Sequence, residues 1–226
     1  MARPGDGMTF SYEVFPPETY ARDVAARITG ALPVSGSVIV TGGSTIAQVY
    51  PVLDPEPWRA LEVLFSDERC VPPDHEASNF KMAMELLLRR TQARVQRMRG
   101  DLDPGQGALR YHDQIQETIA QRPAFAVLGV GADCHICALF PGSPALDEPN
   151  YCAAVARPDG LMGLTLTPTA VLSARTIRLV ATGAGKAEAV ARIVAGNETP
   201  DTCPARLLTH HEDAVLWLDE PAASKL

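Results

Sequence analysis

The sequence predicts an α/β fold in which a mostly parallel, Rossmann-like sheet carries helices on both faces. Short β-rich runs alternate with amphipathic stretches along most of the 226-residue chain. Several of the short runs are almost entirely apolar, which is typical of strands that are buried on both sides. The length suits one α/β domain that spans residues 1–226.

The alternation gives seven candidate strands and five candidate helices in chain order. The strands are Ser37–Thr41, Leu61–Phe65, Val95–Arg97, Phe125–Gly129, Leu164–Thr167, Ile177–Ala181 and Ala214–Leu218. The helices are Glu18–Leu32, Ser44–Leu53, Ser78–Arg90, Gly107–Ala120 and Gly185–Ala195. The first helix follows Pro16 and Pro17, a typical start signal. Because ligands of such folds bind beyond the carboxyl ends of the strands, the residues directly after each strand are the candidate site.

The composition excludes several classes of function. The formal charge of −7 disfavours nucleic-acid binding, because a negative surface repels phosphates. An anionic ligand would therefore need a local cluster of cations. No apolar run reaches the length of a membrane span, and Met1–Phe10 contains no apolar signal core. We therefore expect a cytoplasmic protein that binds neither nucleic acid nor membrane.

The cysteines predict no metal site and no redox centre. Cys134 and Cys137 form a CxxC pair, but no second pair has the spacing of a zinc ligand set. The total of five cysteines is odd, which argues against a disulfide framework in a chain of this length.

The first strand-end segment is a candidate phosphate-binding loop. Gly42 and Gly43 allow the backbone to turn and to approach a ligand closely. Ser44 could cap the following helix, and the amides of Ser44 and Thr45 would then point towards an anion. The alternative is an ordinary strand–turn–helix junction.

The second and fourth segments supply cations. Asp67, Glu68 and Arg69 follow the second strand, and three adjacent charges there are unlike a core sequence. Arg69 could bind phosphate through two N–H donors, while Asp67 or Glu68 could orient it or handle protons. Lys186 is expected in the first turn of the helix after IRLVA, where a cation is unfavourable unless an anion lies between it and the helix. A charged surface turn and a surface lysine are the alternatives.

The third segment contains a candidate catalytic base. His135 follows a buried strand and two glycines in an otherwise apolar setting. Asp133 stands two residues earlier, and a carboxylate can orient an imidazole and increase its basicity. A structural histidine is the alternative.

Taken together and in this order, the four segments resemble the 6-phosphogluconolactonase family. The matching motifs are GGST, DERCVP followed by SN, GxGxDxH with LFPG, and TGAGK, spread between about Phe15 and Trp217. The resemblance implies a parallel sheet shared with glucosamine-6-phosphate isomerases. It also implies a lactonase that needs neither metal nor organic cofactor and converts 6-phosphogluconolactone to 6-phosphogluconate, in pentose phosphate or Entner–Doudoroff metabolism.

The same resemblance assigns roles to the candidate residues. His135 would be the general base that takes a proton from water, and Asp133 would orient it. The loop Gly42–Thr45, Arg69 and Lys186 would hold the 6-phosphate of the sugar-phosphate lactone, remote from the reacting carbon.

Four positions depart from the family pattern. Cys134 replaces a glycine, Ile136 a threonine and Ala138 a serine, while Gly163 stands where an arginine is usual. A cysteine at a position with positive φ, or in contact with substrate, would strain or crowd the site. A cation lost at Gly163 would have to come from elsewhere, and the candidates are Arg157 and Arg206.

Two other functions remain open. The first is a glucosamine-6-phosphate deaminase-like isomerase, which needs an acidic residue five positions after the histidine, where this chain has Phe140. The second is a sugar-phosphate-binding protein without catalysis, which the altered residues around His135 would suit.

Overall fold

Ten strands form two sheets within residues 10–226, the range that this computed structural model describes. The strands are β1 (Tyr12–Phe15), β2 (Gly36–Val40), β3 (Leu61–Phe65), β4 (Asp67–Arg69), β5 (Arg94–Gln96), β6 (Phe125–Gly129), β7 (Cys152–Ala156), β8 (Met162–Leu166), β9 (Ile177–Ala181) and β10 (Ala214–Asp219). Seven are parallel, in the order β1-β10-β9-β6-β2-β3-β5, and β4-β8-β7 form a small antiparallel sheet. The sequence analysis expects no signal core in Met1–Phe10, and residues 1–9 of that segment lie outside the described range.

The order of the parallel strands places helices on both faces of the sheet. The helices are α1 (Tyr20–Ala31), α2 (Ser44–Val49), α3 (Asn79–Leu86), α4 (Pro104–Ala120), α5 (Pro168–Leu172) and α6 (Ala187–Ala195). The chain crosses the sheet in one direction from β1 to β5 and returns from β5 to β10. Because parallel crossovers are right-handed, α1 to α3 lie on one face and α4 to α6 on the other. Contacts of α2 with α1 and α3 agree with this arrangement.

The reversal of direction creates a crevice between β2 and β6. These neighbouring strands pair only at Val38 with Phe125 and at Ile39 with Ala126, so the crevice opens beyond those pairs, at their carboxyl ends. In parallel α/β sheets this switch point is where ligands bind.

The burial of the strands agrees with their apolar sequences. Consecutive residues of β2, from Val38 to Val40, are buried on both sides of the sheet. Tyr50 is also buried, and its hydroxyl donates to Thr41 O at 2.6 Å, which ties the end of β2 to the helical layer. Within residues 10–226, no helix is both long enough and apolar enough to cross a membrane.

The predicted fold class is confirmed, and so are the central elements. The strands predicted at Leu61–Phe65, Phe125–Gly129 and Ile177–Ala181 have the predicted bounds. The run Leu164–Thr167 lies mostly in β8, which belongs to the antiparallel sheet. Strands β1 and β4 and helix α5 were not predicted, because they are short and lack a long apolar run. Strand β7 was not predicted either: its five residues CAAVA are all apolar, but alanine has a low preference for strands.

The five predicted helices are all present, and each differs from its predicted bounds at one or both ends. Helix α1 is shorter than predicted by two residues at its start and one at its end, and α4 begins three residues earlier, at Pro104. Helices α2 and α3 end early and continue as 3₁₀ turns at Tyr50–Val52 and Leu88–Arg90. Helix α6 begins two residues later than predicted, after a 3₁₀ turn at Ala184–Lys186.

Candidate active site

A cleft at the carboxyl ends of β2, β6 and β9 collects most of the polar residues that the sequence analysis selected. His135 lies in this cleft together with the cations Arg69 and Lys186. The other selected residues in its lining are Gly42, Gly43, Ser44, Thr45 and Asp67. Four segments that are distant in sequence thus meet on one side of the sheet.

His135 is positioned by a tight loop after β6. The Gly131 N–H donates to His135 O at 2.8 Å, and the Cys134 N–H donates to Gly131 O at 3.1 Å. A Cβ atom at Gly131 would lie 2.0 Å from His135 Nδ1, so only glycine leaves room for the imidazole. The His135 ring packs against Phe140, with 4.7 Å between ring centroids, and its side chain remains 29% exposed.

Asp133 holds one nitrogen of this imidazole. Its Oδ1 lies 2.6 Å from His135 Nδ1 and also accepts the His135 backbone N–H at 3.2 Å. The bond to His135 lowers the pKa of Asp133 to about 2, so the carboxylate stays ionised at neutral pH. A carboxylate at Nδ1 favours the tautomer with its proton on Nδ1, which leaves the Nε2 lone pair free to accept a proton.

The loop between β2 and α2 is fixed by close packing and by a bond to the β9 loop. A Cβ atom at Gly42 would lie 1.9 Å from Asn79 Oδ1, and Gly43 has a φ of 101°. Thr45 Oγ1 bonds Thr182 Oγ1 at 2.9 Å. The expectation that Ser44 caps α2 was wrong: Gly43 occupies the N-cap position, and the exposed Ser44 is the first helical residue.

Arg69 and Asp67 enter the cleft from β4. Arg69 Nη1 donates to Ala77 O at 2.7 Å, whereas its buried Nε has no hydrogen-bond partner within residues 10–226. Asp67 accepts from Ser66 Oγ at 2.8 Å and from Asn79 Nδ2 at 2.9 Å. A buried guanidinium N–H without a partner costs free energy, which an anionic ligand would remove.

Glu68 is absent from the cleft lining, so of the roles predicted for it the structure favours orienting its neighbours over handling protons. Its carboxylate accepts the backbone N–H groups of Asn79 and Phe80, at the start of α3, at 2.7 and 2.8 Å. It also accepts Ser78 Oγ at 2.9 Å. Burial raises the pKa of Glu68, while these hydrogen bonds oppose the rise. We therefore reassign Glu68 to the support of α3, because a strand alternates its side chains between faces and Glu68 points opposite to Asp67 and Arg69.

Lys186 stands on a loop that Asp219 anchors. The Gly183 N–H donates to both carboxylate oxygens of Asp219, at 2.9 and 3.0 Å, and Gly183 has a φ of 86°. Lys186 is the N-cap of α6 rather than a residue of its first turn. Asp219 was missed by the sequence analysis, although a carboxylate directly after the apolar run AVLWL is the signal that could have indicated it.

None of the three substituted positions around His135 lines the cleft, and one of them, Cys134, strains the loop. Cys134 has a φ of 72°, a left-handed conformation that favours glycine. Its Sγ is buried 3.7 Å from Ala189 O, and the residue is absent from the cleft lining. Ile136 and Ala138 are buried and also outside the lining. Of the two consequences expected for Cys134, the geometry shows backbone strain rather than crowding.

Gly163 stands where the family usually has an arginine, and one of the two arginines that could replace that cation lies in the cleft. Arg157 lines it, next to Gly163. Arg206 instead donates to the backbone oxygens of Glu198 and Ile193, both at 2.8 Å.

Comparisons with known proteins agree with this architecture. Residues 17–217 match the family model described as glucosamine-6-phosphate isomerases/6-phosphogluconolactonase. A 6-phosphogluconolactonase of Synechocystis sp. is 32% identical over 217 residues, which cover 90% of each chain. The crystal structure of a 6-phosphogluconolactonase from Shewanella baltica has a TM-score of 0.83 at 25% identity, covering 93% of this chain and 97% of that one.

A third relative shares the fold alone. The structure of a monomeric glucosamine-6-phosphate deaminase has a TM-score of 0.83 at 20% identity, covering 96% of this chain and 100% of that one.

The residues that match the family model, 17–217, include every segment that lines the cleft. The chain therefore belongs to the glucosamine-6-phosphate isomerase/6-phosphogluconolactonase family.

Proposed function

We propose that this protein hydrolyses 6-phospho-D-glucono-1,5-lactone to 6-phospho-D-gluconate. The observation that carries the proposal is that His135, held by Asp133, lines the same cleft as Arg69 and Lys186. The names and the identity of the full-length relatives support the same reaction.

His135 acts as the general base in the proposed mechanism. Its Nε2 takes one proton from a water molecule while the water oxygen bonds to C1 of the lactone. The carbonyl oxygen becomes an oxyanion, and the bond from C1 to the ring oxygen then breaks. The ring oxygen receives the proton from His135, and the new carboxylic acid releases its own proton to solvent. A lactone is an activated ester, so one positioned base and one group that stabilises the oxyanion are sufficient.

The opposite end of the substrate is held through its phosphate. Arg69 offers an Nε–H that has no partner in the described part of the chain, and Lys186 adds a second positive charge. The Gly42–Thr45 loop contributes backbone amides and hydroxyls. The Thr45–Thr182 bond ties this loop to the loop of Lys186, so that both meet the same anion. This binding energy positions the reacting carbon against His135.

Asp67 has a separate role in the proposal. Ser66 and Asn79 hold its carboxylate at the cleft wall, and it retains acceptor capacity towards the cleft. A carboxylate there suits the sugar hydroxyls, which are donors, rather than the phosphate. It would fix the orientation of the ring between the two ends of the cleft.

The isomerase alternative is disfavoured at Phe140. That reaction needs an acid five positions after the histidine, and here an aromatic ring packs on the imidazole at 4.7 Å between centroids. The binding-protein alternative is disfavoured by the intact pair of His135 and Asp133.

The test is an assay on freshly prepared 6-phosphogluconolactone, corrected for its spontaneous hydrolysis. We expect saturable turnover by the wild-type protein and no release of ammonia from glucosamine 6-phosphate. Ammonia release would establish the isomerase. Tight binding of 6-phosphogluconate without lactone turnover would establish a binding protein and overturn the proposal.

A further inference from the structure

Arg157 is a third cation of the cleft, held in the hairpin between β7 and β8. The turn is closed by bonds from the Arg157 N–H to Leu161 O at 2.9 Å and from the Gly160 N–H to Arg157 O at 3.1 Å. The side chain is only 9% exposed. Nothing in the proposed mechanism so far uses this buried guanidinium.

The side chain of Arg157 occupies space that Gly163 leaves open. A Cβ atom at Gly163 would lie 2.9 Å from Arg157 Cδ and 3.3 Å from Arg157 Cγ. Gly163 faces Arg69 in the β4–β8 pair, so the stem of Arg157 crosses the sheet beside Arg69. An arginine at position 163 and the arginine at position 157 would therefore compete for one space.

The guanidinium group shares an aromatic neighbour with His135. Its Cζ is 5.7 Å from the centroid of the Phe140 ring, and the same ring is 4.7 Å from the His135 ring. Phe140 thus contacts both the cation and the proposed base. The stem of Arg157 lies beside Arg69, whereas its guanidinium reaches the aromatic ring next to the base, and the lactone carbonyl would lie beside that base.

The present partner of Arg157 can be exchanged. Arg157 Nε and Nη2 bond Asp159 Oδ2 at 3.1 and 2.9 Å, but Asp159 is 46% exposed. An ion pair with one solvated member contributes little stability, so a substrate anion can replace Asp159 at low cost.

We infer that Arg157 binds the negative charge that forms at C1 of the lactone, first the oxyanion and then the product carboxylate. This inference rests on the proposed function. Attack of water places a charge on the carbonyl oxygen, and ring opening leaves a planar carboxylate at the same carbon. A guanidinium matches a carboxylate through two parallel N–H···O bonds, and it stabilises charge that develops in the reaction.

The test compares two open-chain ligands that differ only at C1. The ligand 6-phosphogluconate carries phosphate and carboxylate, whereas sorbitol 6-phosphate carries the same phosphate and a neutral hydroxymethyl group. Titration calorimetry with Arg157→Gln should show about 10–100-fold weaker binding of 6-phosphogluconate. Binding of sorbitol 6-phosphate should change less than about threefold, and kcat for the lactone should fall.

Arg69→Gln is the matched control, because it should weaken both ligands. An equal loss of both ligands in Arg157→Gln would place Arg157 at the phosphate and overturn the inference. Unchanged binding of both would overturn it as well. If Arg157→Gln does not fold, Arg157→Lys serves, with a smaller but still carboxylate-selective loss. A wild-type protein that does not turn over the lactone would contradict the proposed function, whereas normal turnover with a non-selective loss would contradict only the role of Arg157.

A second experiment tests whether arginine side chains at positions 157 and 163 occupy the same space. In an Arg157→Ser background, Gly163→Arg should restore at least part of the preference for 6-phosphogluconate over sorbitol 6-phosphate. Gly163 has no left-handed φ, so a side chain there meets no backbone strain of that kind. A double variant that folds but binds like Arg157→Ser alone would contradict the idea that both positions serve one subsite.

Discussion

At the scale of single residues, the chemistry depends on His135 and the atoms around it. His135→Asn should remove most of the rate above spontaneous hydrolysis, by about 10²–10⁴-fold, because it removes the base. The side chain is partly exposed, so we expect the fold to persist. The measurement is kcat on fresh lactone together with the thermal unfolding midpoint, and near-normal turnover in a folded variant would refute the assignment.

Asp133 contributes through His135 and should matter less. Asp133→Asn leaves a neutral acceptor at Nδ1, and replacing a charge-assisted hydrogen bond by a neutral one should reduce kcat by about 10–100-fold. A loss larger than that of His135→Asn would show that Asp133 has a direct chemical role. The KM should change little, since Asp133 is absent from the cleft lining.

The same pair gives a pH dependence of stability with a defined sign. The pKa of Asp133 is lowered from 3.8 to about 2 in the folded protein, chiefly by the bond to His135. Its contribution is therefore complete above pH 3.8 and disappears as the pH falls through 2. The difference in unfolding free energy between wild type and Asp133→Asn should shrink over that interval, whereas a constant difference would contradict the assigned cause.

Cys134 allows the backbone strain to be measured. Its φ of 72° favours glycine, so Cys134→Gly should be more stable than Cys134→Ala by on the order of 1 kcal/mol. Both variants lose the thiol, so their difference isolates the conformation. Denaturant unfolding measures it, and an equally stable or more stable alanine variant would show that the strain is absent.

At the scale of elements, the loops of the cleft are held by residues that do not contact ligand. Asp219, at the end of β10, accepts the Gly183 N–H and the Ala222 N–H and so fixes the loop that carries Lys186. Asp219→Asn replaces an acceptor oxygen by a donor. We expect KM for 6-phosphogluconolactone to rise about tenfold while kcat changes less, because the loop holds the remote phosphate.

The control for this prediction is Asp113→Asn, an exposed carboxylate on α4 away from the cleft. It should leave both kinetic constants unchanged. If Asp219→Asn instead lowers kcat and leaves KM unchanged, a role through the phosphate-binding loop is contradicted.

The elements also show what the sequence could predict. The buried strands were predictable because runs such as Phe125–Gly129 are entirely apolar. Strand β4 was not, because Asp67–Arg69 owes its conformation to pairing with β8 rather than to local propensity.

For the same reason, the sequence did not predict that the side chains of Asp67 and Glu68 point in opposite directions. Adjacent residues of a strand point to opposite faces, so one carboxylate enters the cleft and the other caps α3. Without a predicted strand, this alternation could not be applied. The position of Arg157 depended on the hairpin between β7 and β8, of which only β8 was indicated by its sequence.

At the scale of the whole molecule, the charge and the topology act together. The chain carries a net charge of −7, yet its cleft gathers Arg69, Arg157 and Lys186 at the switch point of the sheet. We expect a local positive site on an acidic protein to favour small anions over a polyanion such as nucleic acid. The parallel topology makes this possible, because it brings the ends of distant strands to one edge.

In the proposed function, one cleft combines a base for the lactone carbonyl with cations for a remote phosphate. The most direct measurement is kcat/KM of wild type, Arg69→Gln and Lys186→Gln on 6-phosphogluconolactone and on unphosphorylated gluconolactone. We expect each variant to lose about 10–100-fold on the phosphorylated lactone and little on the other. Equal losses on both lactones would contradict a role of these cations in binding the phosphate.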